Sequence, residues 1–355
     1  MAPRRGGGGF SSGYYGDNDP WKDEAWLTLD YYPPYQKTLF LTSFAFSVLT
    51  LVAFLILDIW ACRIHNLPGK SVIWALHSFV LCEILVVTLN ALYIADTVVT
   101  MYYLIILMLQ EFFFIMGICF TLHAFWGIIH SFLSHLRPSG KPPAALPILH
   151  WVFFSIAWVL GFALFALDVV SYVDMVTNRY GFIHMPRARL SGAVHIVWFV
   201  LSLEILAWAI FVVVKAGKHR SVAKTPATMM MCGAVCWFAV SLALAVVYIQ
   251  HGIMLNLRYP DYLNTALAIV QFIFWVGTFT GLNLCYRKWG ARNDRDKYPE
   301  TNDSSLQHST GPFPDQYPPH YEGHYPPTQQ QPYGTAPYHD YSTQHQTRGP
   351  SPMHG

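Results

Sequence analysis

Residues 72–95 read VIWALHSFVLCEILVVTLNALYIA, an apolar run with a single acidic residue, Glu83, at its centre. An α-helix needs roughly 20 such residues to cross a hydrocarbon core about 30 Å thick. A helix packed into a soluble protein shows an apolar stripe and a polar face, whereas this segment is apolar all round. It is therefore read as a membrane span.

Outward from this stretch the pattern repeats at 39–60, 101–125 (with helix continuing to about 135), 147–168, 193–214, 226–250 and 264–286. Helix breakers separate the runs: Leu67-Pro68-Gly69, Arg137-Pro138-Ser139-Gly140, and Tyr259-Pro260-Asp261. Pro147 and Pro226 fall in the first turn of a span, where a missing N–H costs no hydrogen bond. The whole chain is 54% hydrophobic and only 12% charged, with a mean hydropathy of +0.32. A soluble domain carries about 25% charged residues, so an ordinary soluble enzyme is excluded. The 22 Lys and Arg nearly balance 20 Asp and Glu, which gives no support to nucleic-acid binding. The fold class expected is an all-α membrane protein with a seven-transmembrane-helix bundle at 38–289. It is flanked by a mostly disordered N-terminal tail at 1–37 and a disordered tail at 290–355.

Basic residues set the orientation, because Lys- and Arg-rich flanks stay in the cytoplasm. Thirteen lie in the connections after the first, third and fifth spans and after the last one; eight lie on the other side, Arg179, Arg187 and Arg189 among them. The N-terminus is accordingly expected outside and the C-terminus in the cytoplasm. The first 37 residues contain no apolar segment of the signal-peptide kind, so the first span is expected to start insertion itself. Trp21, Trp26, Tyr31, Tyr32 and Tyr35 suit an aromatic belt at the outer interface. The six cysteines lie within spans or near their cytoplasmic ends, which leaves no outer disulfide; Cys62, Cys232 and Cys285 are close enough to the inner surface for palmitoylation. The plasma membrane is expected rather than an internal one.

No Lys or Arg lies inside the seven runs, but Glu83, Glu111 and Glu204 fall near the middle of the second, third and fifth. A carboxylate facing lipid costs a few kcal/mol, so each should face the bundle interior. Asn90, seven residues after Glu83, shares its helical face, and Gln271 has a comparable depth in the last span. Two readings are open: neutral glutamates hydrogen-bonded to neighbouring helices, or a ligand or proton site. His77, His123, His130 and His150 form a second group toward the inner leaflet, weak candidates for a metal or haem site that would need two of them close and oriented. His195 stands alone at the outer end of the fifth span. No cofactor and no enzymatic activity are expected, a haem or metal redox protein being the exception. Gly277 and Gly281 make a GxxxG in the last span, and Ala157 and Gly161 mark a small-residue face of the fourth; both suit close helix packing within the chain.

Seven helices with the N-terminus outside resemble the G-protein-coupled receptor superfamily in topology. The local signatures differ. The third span is followed by His130-Ser131-Phe132-Leu133-Ser134-His135, with no Asp-Arg-Tyr-like triplet, and Asn283-Leu284-Cys285-Tyr286 lacks the proline of Asn-Pro-x-x-Tyr. G-protein coupling finds no support in these motifs. The last span has neither the lysine of an opsin nor the His-x-x-x-His of the seven-helix zinc hydrolases, and the outer-leaflet histidine pair of the di-haem membrane cytochromes is missing.

From about Gly290 the composition turns to Pro, Tyr, Gln, His, Gly and Ser, too poor in aliphatic residues to build a core. Its Tyr-Pro spacing resembles the proline- and tyrosine-rich tails of some membrane receptors. Pro318, Pro319 and Tyr321 complete a PPxY sequence, the pattern gripped by WW domains in a polyproline II conformation. A WW-domain ubiquitin ligase is the partner this implies, beside the lipid bilayer itself. The function expected is that of a receptor-like or sensory membrane protein. A proton- or cation-linked small-solute carrier and a structural scaffold without a ligand are the alternatives.

Overall fold

The computed structural model describes residues 19–30, 32–64, 70–136, 145–177, 184–218, 224–254 and 260–297. Among them, seven helices are long and apolar enough to cross a membrane, which makes this an integral multi-pass membrane protein. They are α1 (Pro34–Cys62), α2 (Ser71–Ile94), α3 (Leu104–Leu136), α4 (Ala145–Thr177), α5 (His184–Lys218), α6 (Lys224–Tyr248) and α7 (Leu263–Lys297). Each covers all or most of one of the seven runs, with α2 stopping at Ile94, α3 starting at Leu104 and α6 ending at Tyr248. Large apolar side chains point outward, Val159 at 68% exposure and Ile56 at 62% among them. A surface of this kind would associate in water and is at rest in lipid.

Several helices outrun their apolar core. The connection at 169–192 between the fourth and fifth runs narrows to 178–183, because α4 continues to Thr177 and α5 starts at His184. Hydropathy falls at Asp174, Arg187 and Arg189, but charge does not oppose helix formation once a helix clears the hydrocarbon. Arg187, placed in a loop by the sequence reading, lies on α5 and forms an ion pair with Asp168 of α4. Likewise α7 runs to Lys297, past the expected boundary at 289.

The N-terminal segment supplies the only sheet among the described residues. Strand β1 (Glu24–Leu27) pairs antiparallel with β2 (Thr97–Thr100), Glu24 opposite Thr100 and Leu27 opposite Thr97. Neither strand is anticipated from the sequence, since each is four residues long and gives almost no periodic signal. Alternation is clear once paired: Ala25 and Leu27 are buried against Leu89, Tyr103, Leu104 and Val176, while Glu24 and Trp26 face outward. Trp21 stacks on Tyr102 at 6.0 Å. Asp96 takes a left-handed turn conformation (φ 51°) between α2 and β2, which Asp tolerates better than most residues.

Helix α7 is central to the packing. Thr265 Oγ1 donates to the Leu39 carbonyl, Asn283 Nδ2 to the Leu57 carbonyl and Tyr286 Oη to the Ala124 carbonyl, at 2.9, 3.1 and 3.3 Å. Contacts of α7 with both ends of α1 make these two helices parallel. The GxxxG packs within the chain: a Cβ on Gly281 would stand 2.7 Å from the Gly233 nitrogen of α6, and one on Gly277 would stand 2.7 Å from Cys236 Sγ. The helix backbones therefore approach as closely as small residues allow. Ala157 is fully buried, and a Cβ on Gly161 would stand 2.7 Å from Ile115 Cγ2 of α3. All six cysteines are free.

Candidate functional site

The bundle is open at the end where α1 begins and packed toward the other. In the open half, α1, α2, α3 and α7 surround a cavity of about 410 Å³. Its polar wall comes from helical stripes: Gln36, Ser43 and Ser47 of α1, Glu83 and Asn90 of α2, Gln110 and Glu111 of α3, and Asn264 and Gln271 of α7. On α1, α2 and α7 these residues recur at spacings of four or seven, so each of those helices turns one polar edge inward and its apolar surface to lipid, while α3 contributes the adjacent Gln110 and Glu111. Leu29 and Tyr32, from the segment joining β1 to α1, also line the cavity. Two ties hold that end: Tyr35 Oη donates to Asp261 Oδ2 at 3.0 Å, and Lys37 pairs with Asp30 at 2.9 Å.

Four of the five residues expected at a midplane site, Glu83, Glu111, Asn90 and Gln271, line this one cavity. Neither Glu83 nor Glu111 has a hydrogen-bond or ion-pair partner among the described residues. With Asp261 they give the cavity three carboxyl groups, and among the described residues no Lys, Arg or His lines it. A second cavity of about 350 Å³ adjoins the first and shares Glu111, Phe114 and Tyr248 with it. It runs between α3, α4, α5 and the π-helical turn Ile249–Ile253 that ends α6. Besides the shared Glu111, its lining includes Arg187 and Asp168, which form an ion pair, and the Arg187 guanidinium lies 5.5 Å from the centre of the Tyr172 ring.

Glu204 is elsewhere. Toward the packed end, its Oε2 accepts from Trp126 Nε1 at 3.0 Å and its Oε1 stands 2.9 Å from His150 Nε2. The other ring nitrogen of His150 lies 2.8 Å from His130 Nε2. With Glu204 as a carboxylate, His150 donates to it through Nε2, and His130 donates in turn to His150 Nδ1. The three rings stack, Trp126 on His150 at 5.0 Å and His130 on His150 at 4.7 Å. The fold thus places Glu204 apart from Glu83 and Glu111 and gives each of its oxygens a hydrogen-bond partner, from α3 and α4.

The four histidines do not converge. His130 and His150 meet, but the lone pair and the proton that face each other are used in their mutual hydrogen bond. His123 packs on Phe154 and Trp151 at 5.2 and 5.8 Å, and His77 Nδ1 faces the Ile73 carbonyl and Asp58 at 2.8 and 3.0 Å. Among the described residues no three His, Cys, Asp or Glu side chains group so as to hold a metal ion. His195, isolated in the sequence, gains a neighbour that only the fold supplies, since its ring stacks on Tyr248 of α6 at 3.7 Å and 14°. Pro318, Pro319 and Tyr321 lie outside the described residues. No family model, curated protein or solved structure matches the chain.

Proposed function

We propose that this protein is a receptor-like or sensory membrane protein that binds a small organic cation in the cavity lined by Glu83 and Glu111. The observation that carries this reading is the imbalance in that cavity among the described residues: three carboxyl groups, two of them without a hydrogen-bond or ion-pair partner, and no basic residue in the lining. Unpaired polar groups at membrane depth are costly and are kept where they meet a substrate or an ion. A scaffold would pair its buried carboxylates as Glu204 is paired. A carrier would need a route onward from the cavity. Beneath it, Phe79 packs on Trp275 at 4.4 Å and on Phe279 at 5.6 Å, a floor that favours a receptor. The cavity opens beside the start of α1, on the side that the Lys and Arg distribution assigns to the outside of the cell, at the plasma membrane.

Binding tests this directly. Protein purified in detergent is titrated with 2-phenylethylamine and with phenylacetate, which share a ring but carry opposite charges. The amine is expected to bind and to raise the melting temperature, and the acid is not. Glu83→Gln and Glu111→Gln should each weaken the amine by about tenfold, since a charge-assisted hydrogen bond contributes about 1.5–3 kcal/mol. Equal affinity for both probes, or no effect of either substitution, overturns the reading. The tail completes the proposal as a regulatory segment that recruits a WW-domain ubiquitin ligase through Pro318, Pro319 and Tyr321. Tyr321→Ala should lengthen the surface lifetime of a fluorescent fusion, and unchanged turnover would remove this element.

A further inference from the structure

Where the second cavity ends, three buried polar side-chain atoms have no hydrogen-bond partner among the described residues. His195 is 3% exposed, and its Nδ1 lies 2.8 Å from the Ser191 carbonyl oxygen. A carbonyl can only accept, so Nδ1 carries the proton and Nε2 presents a lone pair. That Nε2 is buried without a hydrogen-bond partner among the described residues. Trp198, 3% exposed, and Trp237, 1% exposed, have indole N–H groups in the same condition. Buried polar atoms are nearly always hydrogen-bonded, and three orphans around one space are a reason to look for what they hold.

The space is well defined. His195 and Trp198 line the second cavity, and together with Trp237, Ser241 and Trp275 they also line a pocket of about 10 Å³ below it. A pocket of that size holds about one water-sized group. It offers an acceptor, His195 Nε2, and indole N–H donors. A carboxylate would face the imidazole lone pair with no proton to give, and an ammonium could accept nothing from the indoles. A carbonyl oxygen could accept from the indoles but would leave Nε2 unmet. A hydroxyl donates and accepts and is small enough to enter. Arg187 is engaged by Asp168, so its charge does not call for an anion.

Resting on the cation-binding reading, we infer that the ligand is an aryl amine bearing a hydroxyl group, with its ammonium at Glu111 and Glu83 and its hydroxyl between His195 and Trp198. Glu111 sits where the two cavities join, and Phe114 and Tyr248, shared by both, flank the path between the ends. Aromatic walls at that position suit a ring.

The test uses the full chain in detergent and three probes: 2-phenylethylamine and its 3-hydroxy and 4-hydroxy derivatives. The better of the two hydroxylated probes should bind about tenfold more tightly than the parent amine, the loss expected when buried polar groups go unpaired. That ratio should fall to about one in His195→Phe. Trp198→Phe removes the N–H donor while keeping an aromatic ring, though a smaller one, and should lower the ratio severalfold, which keeps the test available if the first variant does not fold. Equal wild-type affinities for all three probes would mean that water fills the pocket, and would overturn the inference while leaving amine binding intact. A ratio that survives both substitutions would overturn it as well. Failure of the parent amine to bind wild type, with Glu111→Gln without effect, would count against the cation site itself.

Discussion

Glu111 and Glu204 are both interior glutamates of long apolar helices, and the fold treats them in opposite ways. On the α3–α4–α5 side, Glu204 is met by Trp126 and His150, and Asp168 is met by Arg187. On the side formed by α1, α2 and α7, Glu83 borders an open volume, and Glu111 faces it from α3. The difference lies in what the neighbouring helices place at the same depth. Helix α4 brings His150 and α3 brings Trp126 to Glu204, whereas α1 and α7 bring amide and hydroxyl side chains that stand back from Glu83. Pairing makes a carboxylate structural; leaving it beside a cavity makes it available to a ligand.

Substitutions can break or sharpen this contrast. The largest effect is expected at Arg187→Met, which strands Asp168, a side chain only 3% exposed. Breaking a buried pair by removing one partner costs about 3–5 kcal/mol, while replacing both by apolar residues is often neutral. Thermal unfolding in detergent should therefore show a large loss for Arg187→Met and its recovery in Asp168→Leu/Arg187→Met. A double variant as unstable as the single one would mean that the pair does more than satisfy itself. Next in size is Glu204→Ala, which leaves the Trp126 and His150 donors unmet. It should destabilise by about 1–3 kcal/mol, given the modest worth of interhelical hydrogen bonds in membranes. Smallest is Glu83→Leu, which removes a carboxyl that has no partner; stability should stay within about 0.5 kcal/mol or rise. A loss above about 1 kcal/mol at Glu83 would give it a structural role and dissolve the contrast.

Much of the fold is legible in the sequence because hydropathy responds to the bilayer, which acts on each span separately. The helix ends were less so: Asp174, Arg187 and Arg189 lower the local hydropathy without interrupting α4 or α5. Strands β1 and β2 were invisible because four residues of alternation acquire meaning only when a partner distant in sequence lies alongside, as Thr97 does opposite Leu27 and Thr100 opposite Glu24. Within the site, the inward-facing glutamates could be picked out as exceptions in an apolar run, and Asn90 could be set on the face of Glu83. His195 could not, because its importance rests on Tyr248, Trp198 and Trp237, which come from other turns and another helix.

The sequence by itself determined that there are seven apolar helices and that three glutamates lie near the middle of them, since both facts depend only on each residue's transfer from water to hydrocarbon. The tertiary structure decided which carboxyl groups are satisfied. Hydrogen-bond partners at a given depth come from neighbouring helices, and no single helix carries the information on how its neighbours are turned.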